Sequence, residues 1–415
     1  MQIEVLQGHQ ALPQAAALEV AALIRLHASP TTSGPVPHAL HVGFCLDHSG
    51  SMSDASGVSG MTKLDALKAG VQGALQLLEG WDATVTVSAF SDAETMFCRR
   101  QRLSATQARK TQKLCADVEA LTDAGGTEAK TAMEPVLKAL LPQDHAARRL
   151  ILVTDGHFNS GSVKPCRTLA QRAGEAGVAI WAFATGVTYD EAYLRELVDL
   201  GAPGGLFCHV SNLGALRSKL EEELGALANA SDSDVDITLS AGAGCRLVEV
   251  VRLTPVQTPV AVNTNGHARD HLDVLDARGQ GYVVRVGAGN LPLGRQLVLS
   301  GNVSWQEHGR RRTQPVQVHL DVLPAGAAIP AAHAHVVSTV LSVKAAQATL
   351  LGNAALATQL YAAAGQTQLA QQLSALGTAL PSDSDAARSL RTQVLGSTRL
   401  VALGSAQVPN KGGQP

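Results

Sequence analysis

Five short apolar segments, separated by helical patterns, constrain the fold of this chain more than any other feature of its sequence. They occupy residues 39–46, 83–90, 149–154, 178–185 and 205–210. The helical segments begin at Thr62 and continue at 104–121, 128–141, 164–176, 190–200 and 212–228. Most of the apolar segments lack polar alternation, as parallel strands covered on both faces do. The pattern predicts an α/β fold with a doubly wound, mostly parallel sheet.

The rhythm changes to a period of two after about residue 232. The segments QLVLSGNVSW and PVQVHLDVL form the predicted arms of a hairpin around QEHGRRR. The expected inward faces are Leu297, Leu299, Val303 and Trp305 on the first arm, and Val316, Val318, Leu320 and Val322 on the second. This pattern predicts a β-sandwich.

An isolated alternating segment, ALEVAALIRL, precedes the α/β region. A lone strand is not stable in water, so it needs a sheet to join. We expect it to join the later sandwich, which makes the α/β region an insertion. The alternative is an extra edge strand of the α/β sheet.

The chain beyond residue 333 is rich in Ala, Leu and Gln and predicts a C-terminal helical hairpin. One helix is expected through residue 365, a second to about 379, and a third after Pro381. The predicted division is 1–37 for the N-terminal strand segment, 38–228 for the α/β domain, 229–328 for the sandwich, 329–405 for the C-terminal helices and 406–415 for a flexible tail.

The composition limits the expected partners and location. The formal net charge is −2 and aromatic residues make up 3% of the chain, which disfavours nucleic acid and anionic membranes as partners. No apolar stretch reaches the roughly 20 residues of a membrane-spanning helix. The N-terminus lacks the pattern of a secretory signal, and the 6 cysteines include no CxxC pair. We expect a cytoplasmic protein, and the oligomeric state stays open.

Oxygen-bearing side chains follow two of the predicted strands and one glycine-rich loop. The set contains two carboxylates and three hydroxyls: Asp47, Ser49, Ser51, Thr127 and Asp155. Ligands of doubly wound sheets bind beyond the carboxyl ends of the strands, where these residues are expected to meet. Oxygen donors of this kind suit a hard cation, so Mg²⁺ is the expected ion, with Mn²⁺ or Ca²⁺ as alternatives.

The motifs DHSGSM, GGT and TDG, in this order, resemble the von Willebrand factor A (vWA) domain and its metal-ion-dependent adhesion site. The resemblance covers about residues 38–228. It implies that Ser49, Ser51 and Thr127 are direct or near-direct ligands and that Asp47 and Asp155 act partly through water.

Two features depart from the family pattern. They are a histidine at position 48 and a long loop at 53–61, where Asp54 adds charge. The overall layout also resembles bacterial vWA proteins of the inter-alpha-trypsin-inhibitor-heavy-chain and chloride-channel-accessory kind.

The resemblance implies a function in binding. An ion with few directly bound carboxylates keeps positive charge, and in the family its open position takes a Glu or Asp from a partner protein. We therefore expect a divalent-cation-dependent protein-binding module. The alternative is an accessory subunit of an AAA+ ATPase machine of the MoxR or chelatase kind.

We expect no catalytic step. Phosphatases of the haloacid-dehalogenase type need a second aspartate where this chain has Ser49. The glycines of a serine-hydrolase elbow and the GxxxxGK[ST] phosphate loop are both absent from the sequence.

Overall fold

The computed structural model describes most of the chain. The described residues are 1–15, 17–28, 40–56, 60–142, 147–156, 158–185, 189–210, 213–228, 232–255, 257–307, 310–377, 380, 384 and 386–394. The predicted tail, 406–415, lies outside them, as does the end of the predicted C-terminal helical domain.

Strands and helices follow one another along the chain as the sequence pattern suggests. The strands are β1 Gln2–Gln7, β2 Ala11–Pro13, β3 Leu18–His27, β4 Leu40–Asp47, β5 Thr84–Phe90, β6 Glu94–Arg102, β7 Ala147–Thr154, β8 Ala179–Thr185, β9 Leu206–Val210, β10 Ser233–Ala241, β11 Cys245–Arg252, β12 Thr258–Pro259, β13 His267–Val274, β14 Gln280–Ala288, β15 Gly294–Glu307 and β16 Arg310–Leu323. The helices are α1 Lys63–Gly80, α2 Ala108–Glu119, α3 Lys130–Leu140, α4 Ser160–Glu175, α5 Glu191–Leu200, α6 Leu213–Ala228, α7 Ala334–Leu350, α8 Ala354–Ala363 and α9 Thr367–Leu376. A further helix, α10, covers 386–394.

The α/β domain is built on one sheet of six strands in the order β6-β5-β4-β7-β8-β9. Neighbouring strands are parallel except β6, which pairs antiparallel with β5 at the edge. Every residue of β4, β7 and β8 is buried, because helices cover both faces. The predicted doubly wound, mostly parallel sheet is confirmed. Strand β6 was not predicted, since its sequence ETMFCRRQR is largely polar.

The N-terminal strand belongs to the sandwich. In one sheet β3 lies between β1 and β14, and the facing sheet has the order β13-β10-β15-β16-β2. The insertion of the α/β domain into a β-sandwich is therefore confirmed. The short strands β1 and β2, which also join the sandwich, were not predicted.

The hairpin of β15 and β16 shows one error in the predicted faces. The pairing register shifts between Leu297 and Leu299, so Val298 is an extra residue in β15. Such a bulge reverses the alternation on one side of it. Leu297 is consequently 37% exposed, whereas Val298 and Leu299 are fully buried. The predicted face of β16 is confirmed.

The C-terminal segment is helical as predicted, but its first long helix is divided. The chain turns after α7 at Gly352, whose φ of 73° favours glycine. Val336 and Val343 of α7 pack with Leu23 and Val283 on the outer face of the first sandwich sheet. Within the described residues, none of the helices combines the length and apolar character needed to cross a bilayer.

The sandwich contacts the amino end of the parallel sheet. Arg149, near the start of β7, donates hydrogen bonds of 2.5 and 3.1 Å to the carboxylate of Asp273 on β13. Its guanidinium also lies 5.7 Å from the centre of the Trp181 ring. A strand rises about 3.3 Å per residue, so Arg149 lies about 16 Å from the carboxyl end of β7 at Thr154. This contact with the sandwich is therefore at the opposite end of the strand from the carboxyl edge of the sheet.

Candidate metal centre

Asp47 ends β4 and is completely buried at the carboxyl edge of the sheet. Its Oδ1 accepts a hydrogen bond of 2.9 Å from the backbone N–H of Ser49. Its Oδ2 accepts one of 2.6 Å from the hydroxyl of Thr154 at the end of β7. Asp47 therefore joins the ends of two neighbouring strands and fixes the path of the DHSGS loop.

The charge of Asp47 is only partly compensated by these hydrogen bonds. Burial is the largest effect and raises the pKa of Asp47 from its ordinary 3.8 to about 6, although the bonds from Ser49 and Thr154 lower it. The nearby carboxylate of Asp155 adds a smaller increase. A cation placed here would relieve this cost because it favours the ionised carboxylate.

Ser49, Ser51 and Asp155 form a chain of hydrogen bonds beside Asp47. The two serine hydroxyl oxygens lie 3.3 Å apart, and the Ser51 hydroxyl donates a bond of 3.0 Å to Asp155 Oδ1. A hydroxyl that donates its proton to a carboxylate is polarised, which strengthens the lone pairs on its oxygen. Four of the five predicted site residues are thus brought together.

Thr127, the fifth predicted residue, lies on a loop that contacts the same segment. Gly50 N donates to Gly125 O at 3.1 Å and Ala124 N donates to His48 O at 2.8 Å, so the two loops run side by side. Gly125 has a φ of 59°, and a Cβ there would overlap the carboxylate of Asp92. Thr127 itself is buried. Its loop is therefore held against the serines by backbone bonds.

Lys63 contributes a positive charge that the sequence did not reveal. It is the first residue of α1, and its ammonium donates to Asp155 Oδ2 at 2.8 Å, to Ser51 O at 3.2 Å and to Asp54 Oδ2 at 3.3 Å. Burial opposes the charged form, but Asp155 and Asp54 outweigh it and raise the pKa of Lys63 above its ordinary value. Asp155 is thereby bonded through both carboxylate oxygens.

His48 and Asp92 complete the surroundings of the site. His48 Nδ1 lies 2.8 Å from Thr122 O, so the ring is held by the neighbouring loop. The exposed Asp92 follows β5, and a Cβ on Gly126 would come within 2.7 Å of its Oδ1. Asp92 was not predicted, although it lies near a strand end as Asp47 does.

The donor set determines what this arrangement can hold. The predicted residues offer only carboxylate and hydroxyl oxygens, which are the ligands of hard cations such as Mg²⁺, Mn²⁺ and Ca²⁺. Two carboxylates are fully buried with one ammonium as their charged partner in direct contact. The residues therefore fit a divalent cation in both ligand chemistry and charge.

A second group of metal-type ligands lies on the sandwich. Single ligand atoms of Asp234, Asp236 and His271 come within 4.8 Å of one another. Arg311 already donates to both carboxylates, at 2.7 and 2.5 Å, and His271 Nδ1 lies 3.1 Å from Asp236 Oδ1. Asp236 also pairs with Arg269 at 3.5 Å. Because both acidic groups already have arginine partners, we interpret this group as an ion-pair network.

The inserted domain has a doubly wound sheet with a site lined by oxygen atoms at its carboxyl edge. This arrangement is typical of α/β domains that bind ligands. The family described as von Willebrand factor type A domain matches residues 41–223. This part of the chain is therefore a vWA domain, a kind that generally mediates protein interactions and often binds a metal ion. No curated protein sequence matches the chain.

Solved structures show the same fold over nearly the whole chain. The von Willebrand factor type A protein from Catenulispora acidiphila has a TM-score of 0.73 at 16% identity, over 95% of this chain and 96% of that one. The ArnB paralog VWA2 from Sulfolobus acidocaldarius has a TM-score of 0.59 at 16% identity, over 97% and 98%. The human COPII-coat protein Sec24c has a TM-score of 0.55 at 14% identity, over 93% of this chain and 60% of that one. At these identities the similarity concerns the fold alone.

Proposed function

We propose that this protein is a divalent-cation-dependent binding module that captures an acidic side chain of a partner protein. The ion, expected to be Mg²⁺, is held by Asp47, Ser49, Ser51, Thr127 and Asp155. The observation that supports this most directly is the hydrogen-bonded chain from Ser49 through Ser51 to Asp155, beside a second buried carboxylate. Mn²⁺ and Ca²⁺ are alternatives of the same chemistry.

The protein's own residues prepare the site in distinct ways. Asp47 orients Ser49 through its backbone N–H, and Thr154 holds Asp47. Asp155 Oδ1 accepts a hydrogen bond from the Ser51 hydroxyl, which leaves the lone pairs of the serine oxygen available to the ion. When bound, the ion would supply a positive charge able to accept a carboxylate from a partner. Such a partner would reach the ion at the carboxyl edge of the sheet, beside the ends of β4 and β7.

We infer that no catalytic step takes place at this site. Among the described residues, no imidazole hydrogen-bonds to Ser49 or Ser51, and His48 is held by Thr122 O instead. A serine nucleophile needs an adjacent general base, and Lys63 is held in its protonated form because Asp155 and Asp54 raise its pKa. The proposed role as an accessory subunit of an AAA+ machine remains the alternative, and it would use the same ion-dependent contact.

The test is a pull-down from cell extract with Mg²⁺ or EDTA, joined to calorimetric titration with Mg²⁺. We expect wild type to bind the ion and to retain a partner only with Mg²⁺. Ser51→Ala removes one ligand without removing a charge and should weaken both Mg²⁺ binding and partner capture. Asp155→Ala should abolish Mg²⁺ binding and partner capture. Asp321→Ala, an exposed carboxylate on β16, is the matched control.

Equal binding of Mg²⁺ by wild type and Asp155→Ala would contradict the ion site. Capture of the same partners in Mg²⁺ and in EDTA would contradict ion-dependent recognition. An AAA+ ATPase among the captured proteins would favour the alternative role.

A further inference from the structure

Lys63 occupies an unusual position for a lysine. Its side chain is 9% exposed and its ammonium lies among the oxygens of the candidate metal centre rather than in solvent. Lysine is almost never buried without a partner, because burying an ammonium is costly. The partner is Asp155, whose side chain is fully buried. The two charges therefore depend on each other.

The start of α1 fixes the direction of this side chain. Thr62 caps the helix, and the Thr62 side chain and Asp65 bond each other's backbone in a reciprocal capping box. The backbone N–H of Lys63 donates to Asp54 O at 2.9 Å, which ties the helix start to the loop after Ser51. The capped helix start thus orients the Lys63 side chain toward Asp155, which distinguishes it from a mobile surface lysine.

The formal charges of the buried groups show how Lys63 affects the charge of the site. Asp47 and Asp155 contribute two negative charges and Lys63 one positive charge, so the described buried groups of this cluster have a net charge of −1. A divalent cation would bring it to +1, and a partner's carboxylate would bring it to zero. Without Lys63 the ion alone would neutralise the cluster. Asp54 changes this little, because its side chain is 67% exposed and screened by water.

We propose that Lys63 is an internal counter-ion that competes with the divalent cation for Asp155. It weakens binding of the ion alone and leaves the ion-loaded site in need of an anionic ligand. This inference rests on the proposed function, because it concerns the same site. It adds that the site is selective for acidic partners through a residue that is not itself a metal ligand.

The expected effect follows from the charges. The ammonium and the divalent ion carry charge of the same sign and would share the carboxylate of Asp155, so each weakens the binding of the other. Removing the ammonium should therefore tighten Mg²⁺ binding by roughly tenfold or more. A purely structural salt bridge predicts the opposite, since losing Lys63 would only loosen the Asp155 loop.

The experiment compares Mg²⁺ affinity by calorimetry in wild type, Lys63→Met and Lys63→Gln. Both variants remove the charge, and Gln keeps an N–H donor for Asp155 in case Met disturbs folding. Lys113→Met, on the exposed side of α2, removes the same charge elsewhere. Thermal unfolding in EDTA and in Mg²⁺ gives a readout that does not depend on partner binding.

Tighter Mg²⁺ binding by a folded Lys63 variant, with Lys113→Met like wild type, would support the inference. The same variant should be less stable than wild type in EDTA and should regain stability in Mg²⁺. If wild type binds Mg²⁺ and both Lys63 variants bind it equally or more weakly, the inference is wrong while the proposed function stands. If neither wild type nor the variants bind Mg²⁺ or Mn²⁺, the proposed function itself fails.

Discussion

Replacing Asp47 by Asn should stabilise the ion-free protein, although Asp47 is central to the site. Burial raises the pKa of Asp47 in the folded protein to about 6, above the ordinary 3.8. A group with a raised pKa gives stability that is present below 3.8 and lost as the pH rises through about 6. Above that pH the ionised carboxylate costs roughly 3 kcal/mol of folding free energy.

Asparagine has nearly the same shape but cannot keep every bond. The side-chain oxygen of the asparagine can still accept a hydrogen bond from the N–H of Ser49. Its NH₂ group, however, would face the Thr154 hydroxyl, whose oxygen already accepts a hydrogen bond of 2.9 Å from the Gly156 N–H. The altered bond should cost about 1 kcal/mol. We therefore expect Asp47→Asn to raise the free energy of unfolding by about 2 kcal/mol at pH 8 in EDTA.

Urea unfolding followed by circular dichroism measures this directly. The advantage of the variant should shrink as the pH is lowered from 8 to 5, because wild-type Asp47 then takes up a proton. Saturating Mg²⁺ should stabilise wild type and leave Asp47→Asn unchanged. A variant less stable than wild type in EDTA at pH 8 would refute the reasoning, since it would mean that the buried charge is already compensated.

Three further substitutions test contacts that stabilise the α/β domain and its packing against the rest of the chain. Gly156→Ala places a Cβ into Tyr189 at a φ of 82°, and should lower stability by at least about 2 kcal/mol in thermal unfolding. Arg149→Met leaves its carboxylate partner in the sandwich unpaired and should cost about 3 kcal/mol, measured by urea unfolding. Arg391→Met removes the bond of 2.6 Å to Glu191 and should speed hydrogen exchange in α10 at least several-fold while α1 is unaffected.

The sequence predicted those parts of the fold and site that depend on local pattern. The apolar segments identified β4, β5, β7, β8 and β9, and the position of DHSGS and TDG after two of them brought Asp47 and Asp155 to one edge. The rule that ligands bind at strand ends was sufficient to place these two carboxylates together, because the carboxyl ends of parallel strands lie at one edge of the sheet regardless of loop conformation.

The features that were missed depend on contacts far apart in the chain. Strand β6 is an edge strand with charged residues, so its sequence has no apolar pattern to detect. The face of β15 changes at the bulge near Val298, which depends on the partner strand. Lys63 reaches Asp155, 92 positions away in the chain, through a long side chain whose direction follows from the helix start. Asp92 could have been found, because it lies just after β5 and Asp47 is the last residue of the neighbouring β4.

An imbalance of buried charge separates the candidate metal centre from the structural ion pairs of the same molecule. Arg252 and Asp270 are buried on the sandwich, one guanidinium with one carboxylate, at 3.2 Å. In the candidate centre, by contrast, Asp47 and Asp155 are both fully buried, and within the described part of the chain only Lys63 is in direct ionic contact with them. A protein that needed only rigidity here could have placed a neutral side chain at position 47 and avoided the cost of burying that carboxylate. Keeping the excess negative charge is useful where a cation from solution is to be bound, and Lys63 limits that excess to a single charge.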